Sequence, residues 1–407
     1  MHERYEDLKI VNIDQCWCGS QDLEKFSEHY YRCRECLTLV RSQRMSEEFY
    51  RSGDDANSYY GKEYWTEIWM KEYGHKDIML LSRDFIAERC IYWLRNIMKY
   101  KLPPAKTLEL GCSHGGLVFL MKRAGYESTG TEMSEWICDY ARKTFDVAIL
   151  CGRIEDINTA PKSLDIIVLM DVLEHLTDPV RSLNLIAEAL KDDGVVVLQT
   201  PCWREAHKTY EEMKAENYFL LNHQLKEKEH FYLFSESSVK RILLETGFPH
   251  VEFEKPIFLF DMFVFAGKQP LYKMDKESVD ASLLSTPDGR MVLALMDIYE
   301  KTEQKTGELF RCEADRKARL QVIEKQAKEH AEKLRELEAE KAARLQVTER
   351  IQKQYAECEA DRKARLQVIE KQAKEHAEKM RELEMIKLSL SWRITAPFRW
   401  LLDMLKR

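Results

Sequence analysis

Between residues 101 and about 270 the chain alternates short apolar runs with stretches whose apolar residues recur every three or four positions. The runs read KTLEL, STGTEM, VAILC, DIIVLM, GVVVLQT, HVEFE and FLFDMFVFAG. The first five are separated by helical patterns such as GGLVFLMKRAG and SEWICDYARKTF. Nearly continuous, β-branched runs of this length predict strands buried on both faces, and their alternation with helices predicts a parallel sheet covered on both sides. The last two runs lie close together and predict an antiparallel hairpin at the end of that sheet. The expected fold is therefore α/β, with a seven-stranded Rossmann-like sheet.

A second periodicity governs the tail. The stretch CEADRKARLQVIEKQAKEHAEKLRELE begins at Cys312 and returns from Cys358 with one change, Leu334 to Met380, a period of 46 residues. Leu320, Ile323, Ala327, His330, Leu334 and Leu337 step by three and four, the seam of a left-handed coiled coil, and Leu366, Ile369, Ala373, His376, Met380 and Leu383 repeat it. A continuous helix over 307–388 would extend about 120 Å at 1.5 Å per residue. A solvated single helix held by Glu–Lys pairs is the alternative. His330 and His376 are expected as polar seam residues that tune register.

These patterns divide the chain into a cysteine-bearing segment at 1–50, an aromatic and amphipathic bridge at 51–100, the α/β region at 101–270, a helical connector at 271–306, the coil at 307–388 and a basic amphipathic end at 389–407. A net charge of −7 over 407 residues argues against a general nucleic-acid or anionic-membrane binder. No stretch supplies the roughly 18 uninterrupted apolar residues of a spanning helix, and the start has no signal-type apolar core, so a cytoplasmic location is expected. In that compartment the eleven cysteines read as thiols or metal ligands.

The chemistry begins at the end of the first strand, in TLELGCSHGG, where Glu109, Gly111, Ser113 and Gly115 follow the spacing ExGxGxG with serine at one glycine position. A glycine turn of this kind lets the backbone approach either a dinucleotide or another nucleoside cofactor. Serine fits the turn if its φ is negative. Later segments separate the two: an acidic residue, Glu132, ends the second strand, and LDIIVLMDVLEHLTDP spans 164–179. The turn resembles motif I of class I S-adenosylmethionine-dependent methyltransferases. The DVLEHLTDP stretch is similar to that of the branch containing ubiquinone-type O-methyltransferases and many polysaccharide enzymes. With HFYLFSESSVKRILLETGF at 230–248, the resemblance covers 101–266.

The resemblance implies S-adenosylmethionine as cofactor, with Glu109, Gly111, Ser113 and Gly115 at its methionine end. It further implies Glu132 and Met133 at the ribose and adenine, Ile154 and Glu155 at the adenine edge, and Asp171 facing methionine and acceptor. Arg153 stands where the family often has an acidic residue. Methyl transfer needs positioning and a base for the acceptor hydroxyl, usually histidine. His230 resembles the histidine of a Glu-His pair in sugar methyltransferases, with Glu229 as orienting carboxylate, and a structural role as the alternative. His175 is the other candidate, set against a hydrogen bond that fixes its loop. His114, inside the turn, is expected to fill space on the solvent side.

Cys16, Cys18, Cys33 and Cys36 form CxC, fourteen intervening residues and CxxC, a set suited to tetrahedral structural Zn²⁺. The arrangement resembles the zinc ribbon before the catalytic domain of some sugar methyltransferases. The aromatics of SYYGKEYW at 58–65 could lid the cofactor or pack in the core. The terminal SWRITAP-x-R looks like a motif of bacterial surface-polysaccharide enzymes, and its amphipathic basic character suits a membrane surface or a partner's groove. Head, coil and basic end together resemble O-antigen chain-terminating methyltransferases in layout. The expected partners are a sugar nucleotide or glycan acceptor, a second copy through the coil, and a glycosyltransferase or polymerase, with no nucleic acid. The rival reading is a coiled-coil scaffold whose methyltransferase fold is non-catalytic.

Overall fold

The structure is a computed structural model that describes residues 10–51, 59–71, 76–156, 159–204, 207–216, 224–226, 229–342 and 355–381. It divides into two units, Met1–Tyr299 and Glu300–Arg407.

In the first unit, five short strands come from the cysteine-bearing segment: β1 (Ile10–Asn12), β2 (Leu23–Lys25), β3 (Tyr30–Cys33), β4 (Leu39–Arg41) and β5 (Gln43–Met45). The α/β region supplies β6 (Lys106–Leu110), β7 (Glu127–Glu132), β8 (Ala148–Cys151), β9 (Leu164–Met170), β10 (Leu190–Pro201), β11 (Tyr232–Leu233), β12 (His250–Glu254) and β13 (Asp261–Gly267). Seven of these form one sheet in the order β12-β13-β10-β9-β6-β7-β8. From β10 to β8 every pair is parallel, while β13 runs antiparallel to both β10 and β12. The hairpin expected at the sheet's end is present, with β13 inserted between its partner and β10.

Burial explains the strands. Ile166, Ile167, Val168 and Leu169 of the central β9 are all fully buried, because helices cover both faces. One face packs Leu108, Leu110, Ile167, Leu169 and Leu198 into a core shared with Val40, Phe231 and the ribbon cysteines. The other packs Ile166, Val168, Phe263 and Phe265 with Trp93 and Leu94 of the bridge. Leu283, Val292 and Met296, from the segment expected as a connector, are buried in this second core. Helix starts carry side-chain caps: Ser134 Oγ accepts from Ile137 N at 3.4 Å, and Asp178 from Arg181 N at 2.9 Å ahead of Pro179.

The chain reverses its strand order between β6 and β9, and at such a switch point the following loops diverge and open a crevice. β2, β3 and β4 form a separate small sheet that takes β11 as its fourth strand.

The second unit is helical. The helix Pro287–Ala342 runs into it, and 355–381 is helical as well. The two repeats show the same i,i+4 pairs, Asp315–Arg319 with Asp361–Arg365 and Lys325–Glu329 with Lys371–Glu375. Ile323 and Leu366 of the seam are exposed, at 44% and 48%. Seam positions Leu337 and Leu383, and the whole basic end at 389–407, lie outside the residues whose side chains are described.

Candidate active site

A cavity of about 310 Å³ opens at the switch point, of a size usual for small-molecule sites. Glu109, Gly111, Ser113, Glu132, Met133, Glu155, Asp171, His175 and Glu229 all line it, from the ends of β6, β7, β8 and β9 or the loops that follow them and from the segment before β11. Gly115 and Ile154 are not among the lining residues: Gly115 caps the helix Gly116–Ala124 and faces Ala141 and Val147, and Ile154 opens the short turn Ile154–Asp156 beside Glu155.

The turn after β6 is built from three left-handed residues, Gly111 (φ 63°), Ser113 (φ 49°) and Gly115 (φ 77°). Any side chain at Gly111 would place its Cβ 2.8 Å from Val172 Cγ2. Serine therefore does not sit here with the negative φ that the sequence reading required. Its left-handed backbone aims the Ser113 N–H at Glu132 Oε2, 3.1 Å away. Glu132 Oε1 accepts from Met133 N at 2.7 Å, so one carboxylate ties two loops and forms the floor of the pocket.

The same turn shows which cofactor charge it suits. A pyrophosphate site needs unengaged N–H groups at a helix N-terminus. Here the first helical N–H, that of Gly116, is already engaged and donates to His114 Nδ1 at 3.2 Å. His114 is 3% exposed and packs between the rings of Phe85 and Phe145, not at the solvent side as expected from sequence. Burial pushes its pKa down to about 4, so the ring is neutral, with the proton on Nε2 and the lone pair of Nδ1 turned to the helix.

Glu109 is 5% exposed, burial holds its pKa well above the usual carboxyl range, and its Oε2 has no hydrogen-bond partner among the described atoms. A buried carboxyl in that condition disfavours an anionic ligand and favours a cationic one. S-adenosylmethionine carries an ammonium and a sulfonium, and the residues fit it. Arg153 and Glu155 are engaged locally, Arg153 Nε with Asp156 Oδ2 at 3.0 Å and Glu155 Oε1 with Ser182 Oγ at 2.7 Å.

The opposite wall follows β9. Asp171 is left-handed (φ 56°), a strained conformation for a non-glycine residue. It is held by a relay in which Trp93 Nε1 donates to Gln199 Oε1 and Gln199 Nε2 donates to Asp171 Oδ1, both at 3.0 Å. Behind it Glu174 is buried and accepts from Thr200 Oγ1 at 2.9 Å. Burial, then the nearby Asp171, pushes Glu174 well up and Asp261 up to about 8.

His175 and His230 meet edge to face, with centroids 5.0 Å apart. His175 Nδ1 lies 2.9 Å from the Glu229 carbonyl, and His230 Nδ1 lies 2.8 Å from the Gln224 carbonyl. A carbonyl only accepts, so each Nδ1 carries the proton and each Nε2 a lone pair. Burial lowers the pKa of both, of His230 most. The side chain of His175 is 22% exposed and lines the cavity, whereas His230 is 3% exposed and sits behind it. Glu229 orients His175 through its main-chain carbonyl, while its carboxylate lines the cavity and accepts from Tyr59 Oη at 3.3 Å.

The bridge contributes Tyr60, Tyr64, Trp65, Phe85, Arg89 and Trp93 to the lining. Sequence reading identified the first three as lid or core candidates; nothing local marked Phe85, Arg89 or Trp93.

At the end of β3 and in the loops beside the small sheet, Cys16 Sγ lies 3.5 Å from Cys36 Sγ and Cys18 Sγ lies 3.6 Å from Cys33 Sγ, with all four sulfurs within 4.8 Å of one another. Tetrahedral Zn²⁺ with sulfur at about 2.3 Å needs sulfurs about 3.8 Å apart, so the donors fit that ion.

Residues 82–252 match the family described as "Methyltransferase domain". The ubiquinone biosynthesis O-methyltransferase of Neisseria meningitidis is 32% identical over 103 residues, covering 23% of this chain and 43% of that one. Its mitochondrial counterpart in Schizosaccharomyces pombe is 32% identical over 124 residues, covering 29% and 43%. The chain thus spans less than half the length of these curated relatives. Among solved structures, magnesium protoporphyrin IX methyltransferase from Synechocystis with bound SAH aligns at 15% identity and a TM-score of 0.37, covering 51% of this chain and 98% of that one.

Proposed function

We propose that this chain, which carries a class I S-adenosylmethionine-dependent methyltransferase domain, transfers a methyl group to a hydroxyl of a sugar or glycan. The observation that carries the reading is one cavity lined by Glu109 and Glu132 on one wall and by Asp171 and His175 on the wall that follows β9.

S-adenosylmethionine supplies a methyl group on an already activated sulfonium. The chain's own work is to bind, orient and move one proton. Glu132 would accept from the ribose hydroxyls, and the buried Glu109 and the braced Asp171 would face the cationic end. His175, neutral at pH 7 and keeping its Nδ1 proton on the Glu229 carbonyl, would take the acceptor's hydroxyl proton at Nε2. Tyr60, Tyr64 and Trp65 would exclude water and offer aromatic faces against which an apolar sugar face can pack.

The sugar assignment draws on the sequence resemblance to polysaccharide enzymes, including the SWRITAP segment that lies outside the described residues. Zn²⁺ would sit on Cys16, Cys18, Cys33 and Cys36 as a structural ion, since four thiolates leave no open position. The exposed seam residues Ile323 and Leu366 support association of two or more copies through the coil. Among the described residues no helix is long and apolar enough to cross a membrane.

The test is transfer of label from methyl-labelled S-adenosylmethionine to a panel of nucleotide sugars, oligosaccharides and catechols. Labelled sugar is expected. Label on the catechols alone would overturn the acceptor assignment, and label on nothing would favour the scaffold reading.

A further inference from the structure

The cysteine ribbon and the histidine pair are joined by main chain. β11, the two residues after Phe231, pairs antiparallel with β4 through Tyr232↔Val40 and Leu233↔Leu39. The small sheet is therefore completed by the catalytic part of the chain, directly after His230. Tyr30 Oη, on β3, donates to the His230 carbonyl at 2.9 Å, and Arg41 N, on β4, donates to the Phe231 carbonyl at 2.9 Å. On its other side Phe231 N donates to the Glu174 carbonyl at 2.8 Å. The strip 229–233 is thus fastened between the ribbon and the loop that carries His175.

The ribbon end of this connection begins at the thiols. Cys33 N donates to the Thr38 carbonyl at 2.9 Å, and Thr38 Oγ1 accepts from Cys36 Sγ at 3.2 Å and from Trp17 Nε1 at 2.9 Å. Thr38 is followed at once by β4. Strands of three and four residues bury little apolar surface by themselves, and a scaffold of that size needs a metal or another staple to stay ordered.

We infer that the ribbon is a positioning element of the active site: its bound metal orders β4, and β4, through β11 and Tyr30, sets the main-chain strip that holds His175 and His230. This rests on the methyltransferase reading for the meaning of the site and on Zn²⁺ as the ribbon's ion. The cofactor walls, Glu109 on β6 and Glu132 on β7, belong to the large sheet, whose seven strands do not include those of the ribbon.

The test uses the full chain loaded with Zn²⁺, its metal content measured before and after chelation in the presence of a thiol-reactive dye. Amide exchange is followed by mass spectrometry, and S-adenosylmethionine binding by equilibrium dialysis. On metal removal, exchange across 229–234 should rise at least about tenfold, the effect of losing one or two main-chain hydrogen bonds. Peptides over 106–132 should keep their protection, and cofactor affinity should change by less than about threefold.

Tyr30→Phe provides the second arm, since it leaves all four thiols in place. It should keep its zinc, raise exchange at 229–231 by about two- to tenfold, and shift the ring ¹⁵N signals of His175 and His230 that report their tautomers. Failure to bind Zn²⁺, unchanged exchange at 229–234 after its removal, or an equal rise over 106–132 would each overturn the inference. Absence of cofactor binding in the loaded protein would instead overturn the methyltransferase reading, so the two failures are distinguishable.

Discussion

Replacing Ser113 by glycine asks whether the departure from the glycine pattern holds the cofactor or merely occupies the turn. Ser113 has φ 49°, where an L-residue with a Cβ costs about 1–2 kcal/mol and glycine costs little. Glycine also gains about 0.4–1 kcal/mol of conformational entropy in the unfolded chain, which offsets part of the relief. The net expectation is a stabilisation of about 0–1.6 kcal/mol, read as a higher urea midpoint at unchanged slope. The group of Ser113 that meets Glu132 is its backbone N–H, which glycine retains. S-adenosylmethionine affinity should accordingly stay within about threefold of the parent, a difference of about 0.7 kcal/mol. Ser113→Val, with a β-branched side chain at positive φ, should lower the midpoint. A Ser113→Gly chain that loses more than about 1 kcal/mol, or binds the cofactor about tenfold more weakly, would show that the hydroxyl is itself a ligand and refute the reasoning.

Other expectations are as direct. A Cβ at Gly130 would stand 2.5 Å from Cys112 Sγ and 2.9 Å from Ile149 Cδ1, so Gly130→Ala should lower the urea midpoint by the equivalent of about 1–3 kcal/mol. His175→Gln should slow methyl transfer by about 10²–10⁴-fold at pH 7 with cofactor binding retained, and an equal turnover would remove His175 as the base. Asp261, raised from 3.8 to about 8, keeps its proton in the folded chain while the unfolded chain has lost it, so folding stability falls as pH rises across that window. Its slope, about 1.4 kcal/mol per pH unit, should vanish in Asp261→Asn, measured by urea midpoints from pH 4 to 8. His114, held to about 4, acts oppositely, and stability should rise between pH 4 and 6.5 as the unfolded imidazole gives up its proton. Glutamate at both Ile323 and Leu366 should leave a monomer in sedimentation if the seam associates, and unchanged mass would exclude that seam.

The central strands of the large sheet were legible because they are buried on both faces and therefore read as continuous apolar runs, as β6 does in KTLEL; the edge strand β12 is only part-buried and coincides with the alternating run HVEFE. β10 begins four residues before its run, at Leu190, because a register shift between Leu190 and Val195 lets polar residues join the edge of the strand. β11 left no trace in the pattern. Two residues carry no period, and their partner on β4 is about 190 positions away in the chain. The site residues could be nominated from spacing, but depth could not be read that way. Nothing local to KEHFYLFS says that His230 lies behind His175, or that the Glu229 carbonyl rather than its carboxylate does the orienting. The conformation of Ser113 was equally hidden, since it is imposed by the distance from the turn to Glu132. The relay from Trp93 through Gln199 to Asp171 joins three distant segments and is a product of the tertiary fold alone.

Equilibrium dialysis of the full chain against labelled S-adenosylmethionine and, separately, labelled NAD⁺ tests the central claim most directly. The account predicts one S-adenosylmethionine per chain with micromolar affinity, weakened by Glu132→Ala, and no retention of NAD⁺, because the Gly116 N–H at the helix start is already engaged by His114 and the buried, unpartnered Glu109 carboxyl disfavours an anion. Retention of NAD⁺ with no retention of S-adenosylmethionine at millimolar concentration would contradict it.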